Sequence, residues 1–130
     1  MGDFNGQIGK QERGEERTVG SHGFGNRSKN GSRLVSFAIE NKMRILNSFY
    51  KKKSSKKWTW ISPNSLYKNE IDYIMSNNAK VFKDVAILNN LNFNTDHRMV
   101  RKKYHLKVSN YYKNGKSFYN KKKQTGIVKR

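Results

Sequence analysis

The run Asn69-Glu70-Ile71-Asp72-Tyr73-Ile74-Met75 sets the tightest constraint on how this chain can fold. In an extended segment Ile71 and Tyr73 share one face while Asp72 and Ile74 share the other, the pattern of a strand covered on both sides. Asp72 is thereby drawn inside, where an unpaired carboxylate is costly to desolvate and must find a partner or a proton. Asn94-Thr95-Asp96-His97-Arg98, a polar loop leading into an apolar strand, offers His97. An imidazole held by a buried carboxylate keeps one tautomer and gains basicity, which suits it to orient or deprotonate a water, or to hold a phosphate oxygen. Residue by residue a plainer alternative stands beside this one: Asp72 bonds to amides at a strand end, and His97 sits on a surface loop.

A third piece is Gly2-Asp3-Phe4-Asn5. Two residues apart, Asp3 and Asn5 point the same way if the segment is extended, and a carboxylate beside an amide can bind a phosphoryl oxygen or a hard divalent cation. A simple turn is the other reading of the same four residues. Asp96 is a candidate further oxygen ligand for such a cation.

Between these pieces the pattern predicts a surface loop over 9–33, rich in Gly, Ser, Asn and mixed charge. An amphipathic helix follows from Leu34 to Met43, with Ser32 as N-cap. Strands are expected at Met43 to Tyr50, Trp58 to Ile61, 69–75, Val81 to Leu88 and Met99 to Val108, with a turn at Ser62-Pro63-Asn64 and an Asn-rich loop at 89–94. From Ser109 the buried pattern fades into Tyr, Asn and Lys, so 109–130 reads as a mobile basic tail on a domain of residues 1–108.

Charge narrows the class of partner. With 28 Lys and Arg against nine Asp and Glu in 130 residues, the formal charge of +19 opposes compaction unless a polyanion neutralises it. Nucleic acid is the expected partner, ahead of an anionic membrane surface. Lys51, Lys52, Lys53, Lys56 and Lys57 lead into Trp58 and Trp60, and with Arg98 these form the candidate nucleic-acid surface, one indole expected in the core and one near ligand. No apolar run reaches a membrane span and no signal pattern opens the chain, so an intracellular, nuclear location is expected. With no cysteine there is no disulfide and no thiolate metal site.

Taken in order, Gly2-Asp3-Phe4-Asn5, Trp58-Thr59-Trp60, Asn69 to Ile74 and Thr95-Asp96-His97-Arg98 resemble the C-terminal half of the endonuclease/exonuclease/phosphatase family. The likeness is to the apurinic/apyrimidinic-endonuclease-like domains of non-LTR retrotransposons and craniofacial development protein 2-like sequences. It covers roughly residues 1–108, with Thr95 where the family usually has Ser. The resemblance implies an α+β fold, part of a four-layer α/β sandwich with mixed β-sheets, and Mg²⁺- or Mn²⁺-dependent hydrolysis of phosphodiester bonds in DNA. It assigns Asp3 to activating water, Asn5 to steadying the transition state, Asp72 and His97 to the family's Asp-His pair, and Asp3, Asn5 and Asp96 to the metal. It also implies a further metal-binding Glu and an Asn from an N-terminal half that would precede Met1, so a truncated copy, feeble or inactive alone, is expected. Two other classes compete: a non-catalytic nucleic-acid-binding module and a structural basic protein such as a ribosome-associated piece.

Overall fold

The computed structural model describes residues 1–90, 92, 94–105 and the backbone of 124–127. Its class is α+β: among the described residues, one α-helix and several small antiparallel sheets. Strand β1 (Gly2–Asp3) pairs with β5 (Asp72–Tyr73), β2 (Arg44–Ile45) with β6 (Met75–Ser76), and β3 (Trp60–Ile61) with β4 (Lys68–Asn69). Strands β7 (Phe82–Leu88), β8 (Met99–Tyr104) and β9 (Gln124–Ile127) form a three-stranded sheet. A single parallel bridge joins Val19 to Ile45. No helix among the described residues is long and apolar enough to cross a membrane.

The segment that constrains the sequence also divides the core. Tyr73 packs into one apolar cluster with Ile8, Val19, Leu34, Val35, Ala38 and Ile45, while Ile74 belongs to a second with Leu46, Val85, Ile87 and Val100. Alternation along the strand therefore sends Tyr73 towards the helix and Ile74 towards the β7–β8 layer. Asp72 shares the face of Ile74.

Several local expectations are corrected. Helix α1 runs Lys29–Glu40, starting earlier than Leu34 and stopping short of Met43, and Ser28 rather than Ser32 is its N-cap. Ser28 Oγ accepts from the amides of Gly31 (3.1 Å) and Gln7 (3.0 Å), so one hydroxyl starts the helix and also ties down the chain that follows β1. Gly31 must be glycine because the helix lies against the Gln7 carbonyl, where a Cβ would overlap it at 1.7 Å. Residues 9–33 are not merely a surface loop: Thr18, Val19 and Gly20 are buried, and the Arg27 guanidinium binds Glu15 and the carbonyls of Ile8 (2.6 Å) and Lys10 (3.1 Å). Specific polar bonds order this segment, which is why it has no hydrophobic period. Met43 to Tyr50 is extended only at Arg44–Ile45 and then closes into a 3₁₀ turn, Leu46–Phe49.

The expected strand over 69–75 is broken into β4, β5 and β6, each with a different partner. Residues 106–108 of the last expected strand lie outside the described residues. So does the segment expected to be a basic tail, except that Gln124–Ile127 pairs with Tyr104–Arg101.

The capping geometry distinguishes two serines. Ser28→Ala should lower stability by about 1–2 kcal/mol in urea unfolding, and Ser32→Ala, exposed one turn into the helix, by less than about 0.5 kcal/mol.

Candidate active site

The pairing of β1 with β5 sets Asp3 directly opposite Asp72 across the ladder. Asp72 is 5 % exposed, and its Oδ2 lies 2.9 Å from His97 Nδ1. A carboxylate can only accept, so in the neutral imidazole the proton sits on Nδ1 and Nε2 is the basic nitrogen. One ligand atom each from Asp3, Asp72 and His97 lie within 4.8 Å of one another. Residues 3, 72 and 97 thus share one centre.

His97 is placed by backbone. It bridges Trp60 in antiparallel fashion, the Ile61 amide donates to the Asp96 carbonyl (3.0 Å), and the Arg98 amide donates to the Thr59 carbonyl (2.7 Å). The 94–98 stretch therefore extends the β3–β4 hairpin, and the ring comes down onto Asp72. The hydroxyl of Thr95 accepts from the His97 amide at 3.2 Å.

Asn5 does not share the extended run expected of it. Its φ of +46° is left-handed, and its amide turns back to donate to Asp3 Oδ1 at 2.7 Å. The argument that both side chains point the same way along a strand fails here, because β1 ends at Asp3 and a turn begins. Asp3 is consequently held from its own strand end. Asp96 is exposed, and its Oδ2 accepts from Trp60 Nε1 at 3.0 Å; it lies outside the group formed by Asp3, Asp72 and His97.

A cleft of about 210 Å³ opens beside the pair, with Asp72, His97, Asp96, Trp58, Arg98 and Val100 among its walls. The Arg98 guanidinium stacks on Trp58 and donates to the Ser55 carbonyl (3.0 Å), and Lys68 Nζ lies 5.2 Å from the same indole. Burial lowers the Arg98 pKa from its ordinary value. Trp58 and Trp60 are both half-buried, so neither indole is a core residue; Trp58 lines the cleft, and Trp60 is bonded to Asp96. The lysines divide. Lys51, Lys53 and Lys56 are exposed, Lys52 pairs with Asp84 at 2.7 Å, and Lys57, expected on the phosphate-facing surface, is buried with Nζ donating to the Asn47 carbonyl at 2.7 Å.

Of four polar residues behind the site, Thr59 and Glu70 lie within the motifs that carry the resemblance but were given no role there, Lys57 was expected on the nucleic-acid surface, and Asn47 had no motif to announce it. Thr59 Oγ1 accepts from the amides of Ile71 (3.0 Å) and Asp72 (3.1 Å). Asn47 Nδ2 donates to the Asp72 carbonyl (3.0 Å) and Glu70 Oε1 (3.1 Å), while its Oδ1 accepts from the Ile74 amide (3.0 Å). Glu70 is fully buried, with Oε2 lacking a hydrogen-bond partner among the described residues. Desolvation raises its pKa to about 7, against the opposing pull of Lys57 and the Asn47 hydrogen bond. Burial likewise lowers the Lys57 pKa.

Because the folded state raises the Glu70 pKa, the native protein binds that proton more tightly than the unfolded chain, and the associated stability is lost as pH rises from about 4.5 to about 7. Glu70→Gln should remove this dependence. Unfolding free energies of the two proteins from urea titration should diverge across that window in favour of the glutamine form, by on the order of 3 kcal/mol at its upper end.

No family model matches the chain, and no solved structure matches it. It is similar to craniofacial development protein 2 of Bos taurus, 28 % identical over 110 residues, and to the protein of the same name from Tragulus javanicus, 27 % identical over 110 residues. Each match covers 83 % of this chain but 18 % and 19 % of the two relatives, so the chain spans about a fifth of the length of the curated proteins it resembles.

Proposed function

We propose that this chain carries the Asp-His side of a divalent-metal-dependent phosphodiesterase centre acting on nucleic acid, DNA foremost, of the kind found in retrotransposon-type endonuclease/exonuclease/phosphatase domains. The observation that carries the reading is the convergence of Asp3, Asp72 and His97 within 4.8 Å from three separate parts of the sequence. The similarity to craniofacial development protein 2 agrees with the resemblance on which the reading also draws.

The donor set suits a hard cation. Carboxylates of Asp3 and Asp72 are the oxygen donors such ions prefer, whereas His97 is engaged with Asp72 through Nδ1. Asp3, with Asp72 beside it, would hold Mg²⁺ or Mn²⁺, without need of Asp96, which is bonded to Trp60 outside that group. The ion, when bound, supplies charge neutralisation at the phosphoryl oxygens. The remaining work falls to the chain. Asp3 takes the proton of the attacking water, and His97, in its protonated form, donates from Nε2 to a phosphoryl oxygen together with the Asn5 side-chain amide. Asp72 keeps the imidazole in one tautomer and stabilises it when protonated. Trp58, Arg98 and the exposed lysines Lys51, Lys53 and Lys56 hold the backbone of the substrate beside the cleft.

A second reading rests on the charge alone. With a formal +19 and a cation-stacked indole on the surface, the chain could bind nucleic acid without cutting it.

Nicking of supercoiled plasmid separates the two. The phosphodiesterase reading predicts slow nicking that requires Mg²⁺, stops with EDTA, and falls at least ~10²-fold in both Asp3→Ala and His97→Ala. The binding reading predicts no nicking, affinity indifferent to EDTA, and log K falling with log salt by roughly 0.9 per phosphate contacted. Nicking left intact by both substitutions would sink the assignment of the site.

A further inference from the structure

Asp72 and His97 arrive from different parts of the chain, and a bond between them is only as well defined as the backbones that deliver them. Thr59, with no exposed surface, touches both deliveries. Its carbonyl accepts from the Arg98 amide at 2.7 Å, next to His97, and its amide donates to the Asn69 carbonyl at 2.8 Å. Its hydroxyl oxygen accepts from the amides of Ile71 and of Asp72 itself.

The need for a side chain here follows from the sheet topology. On one edge β5 is paired with β1, and the Phe4 amide donates to the Ile71 carbonyl at 2.9 Å. On the other edge no strand among the described residues runs beside Asp72. Thr59 Oγ1 takes its amide and Asn47 Nδ2 its carbonyl, at 3.1 and 3.0 Å. The Asn47 amide, donating to the carbonyl of 72 and accepting from the amide of 74, imitates one residue of a parallel neighbour. Two buried side chains thus complete the ladder around the reactive carboxylate.

We propose that Thr59 is a positioning residue for the Asp72–His97 pair: its main chain fixes the segment that carries His97 and its hydroxyl fixes the strand that carries Asp72, so that one residue sets the spacing between the two. The inference rests on the reading of that pair as the reacting centre. A hydroxyl is required because only an oxygen at that position can accept from both amides; valine has the same shape and cannot.

Thr59→Val and Thr59→Ser test this, with the ¹⁵N and downfield ¹H signals of the His97 Nδ1–H as the spectroscopic readout and those of His22 and His105 as internal controls. In Thr59→Val the hydrogen-bonded His97 signal should be lost or shifted while the two controls stay unchanged, and the kcat of Mg²⁺-dependent nicking should drop about 10- to 100-fold with KM little altered. Thr59→Ser should restore both. A folded Thr59→Val with the native His97 signal and native kcat overturns the proposal. Should Thr59→Val not fold, amide exchange in the unaltered chain decides: the Asp72 amide must be protected like its buried neighbours, and exchange as fast as an exposed loop amide overturns the proposal. The His97 signal and the exchange rate need no turnover, so an unaltered chain that nicks no DNA counts against the proposed activity and leaves this test standing.

Discussion

The architecture around the site depends on a carboxylate being held inside the protein between two apolar clusters. Asp72 lies on the strand whose neighbouring residues, Tyr73 and Ile74, anchor those clusters, so the interior cannot form without carrying the acid in with it. An unpaired charge there would oppose folding, and the structure meets it with the imidazole of His97 on the side-chain side and with Thr59 and Asn47 along the backbone. Packing and chemistry are therefore coupled. The residues that make the fold cohere also fix where the reactive groups stand.

This coupling explains which parts of the site were legible in the sequence. A carboxylate among Ile71, Tyr73, Ile74 and Met75 announces its own need for a partner, and an acid-imidazole doublet before an apolar strand is a natural answer. The pairing of Asp3 with Asp72 is long-range, set by strand register rather than by any local pattern. Asn5 shows the limit of periodicity: a two-residue spacing says nothing once the strand ends after Asp3 and the chain turns through a left-handed residue. The helix start was misplaced for a related reason, since Ser28 and Ser32 are equally good caps by type and the choice is made by Gln7, whose amide the Ser28 hydroxyl also receives.

Less legible still was the polar layer behind the site. Lys57 belongs by sequence to a basic loop with Lys51, Lys52, Lys53 and Lys56, yet it alone of the five is buried, where its ammonium meets the Asn47 carbonyl near the Glu70 carboxyl. A charged residue in a basic run looks solvated until it is known to lie beside Glu70, Val85 and Ile87. Glu70 and Lys57 each pull the other towards its charged form, against a burial that pushes both towards neutrality. Around Trp58 positive charge is organised by the stacking of Arg98 and the nearby Lys68 on one indole beside the cleft.

The proposed function turns on Asp3 and Asp72 holding a divalent cation beside the imidazole of His97. Paramagnetic broadening by trace Mn²⁺ in the ¹H–¹⁵N spectrum tests it without requiring catalysis. The amides of Asp3, Asp72 and His97 should broaden together at the lowest Mn²⁺ additions, while those of helix α1 stay sharp. Broadening that begins instead at the exposed acids Glu12 and Glu16, with residues 3, 72 and 97 unaffected, would contradict the account.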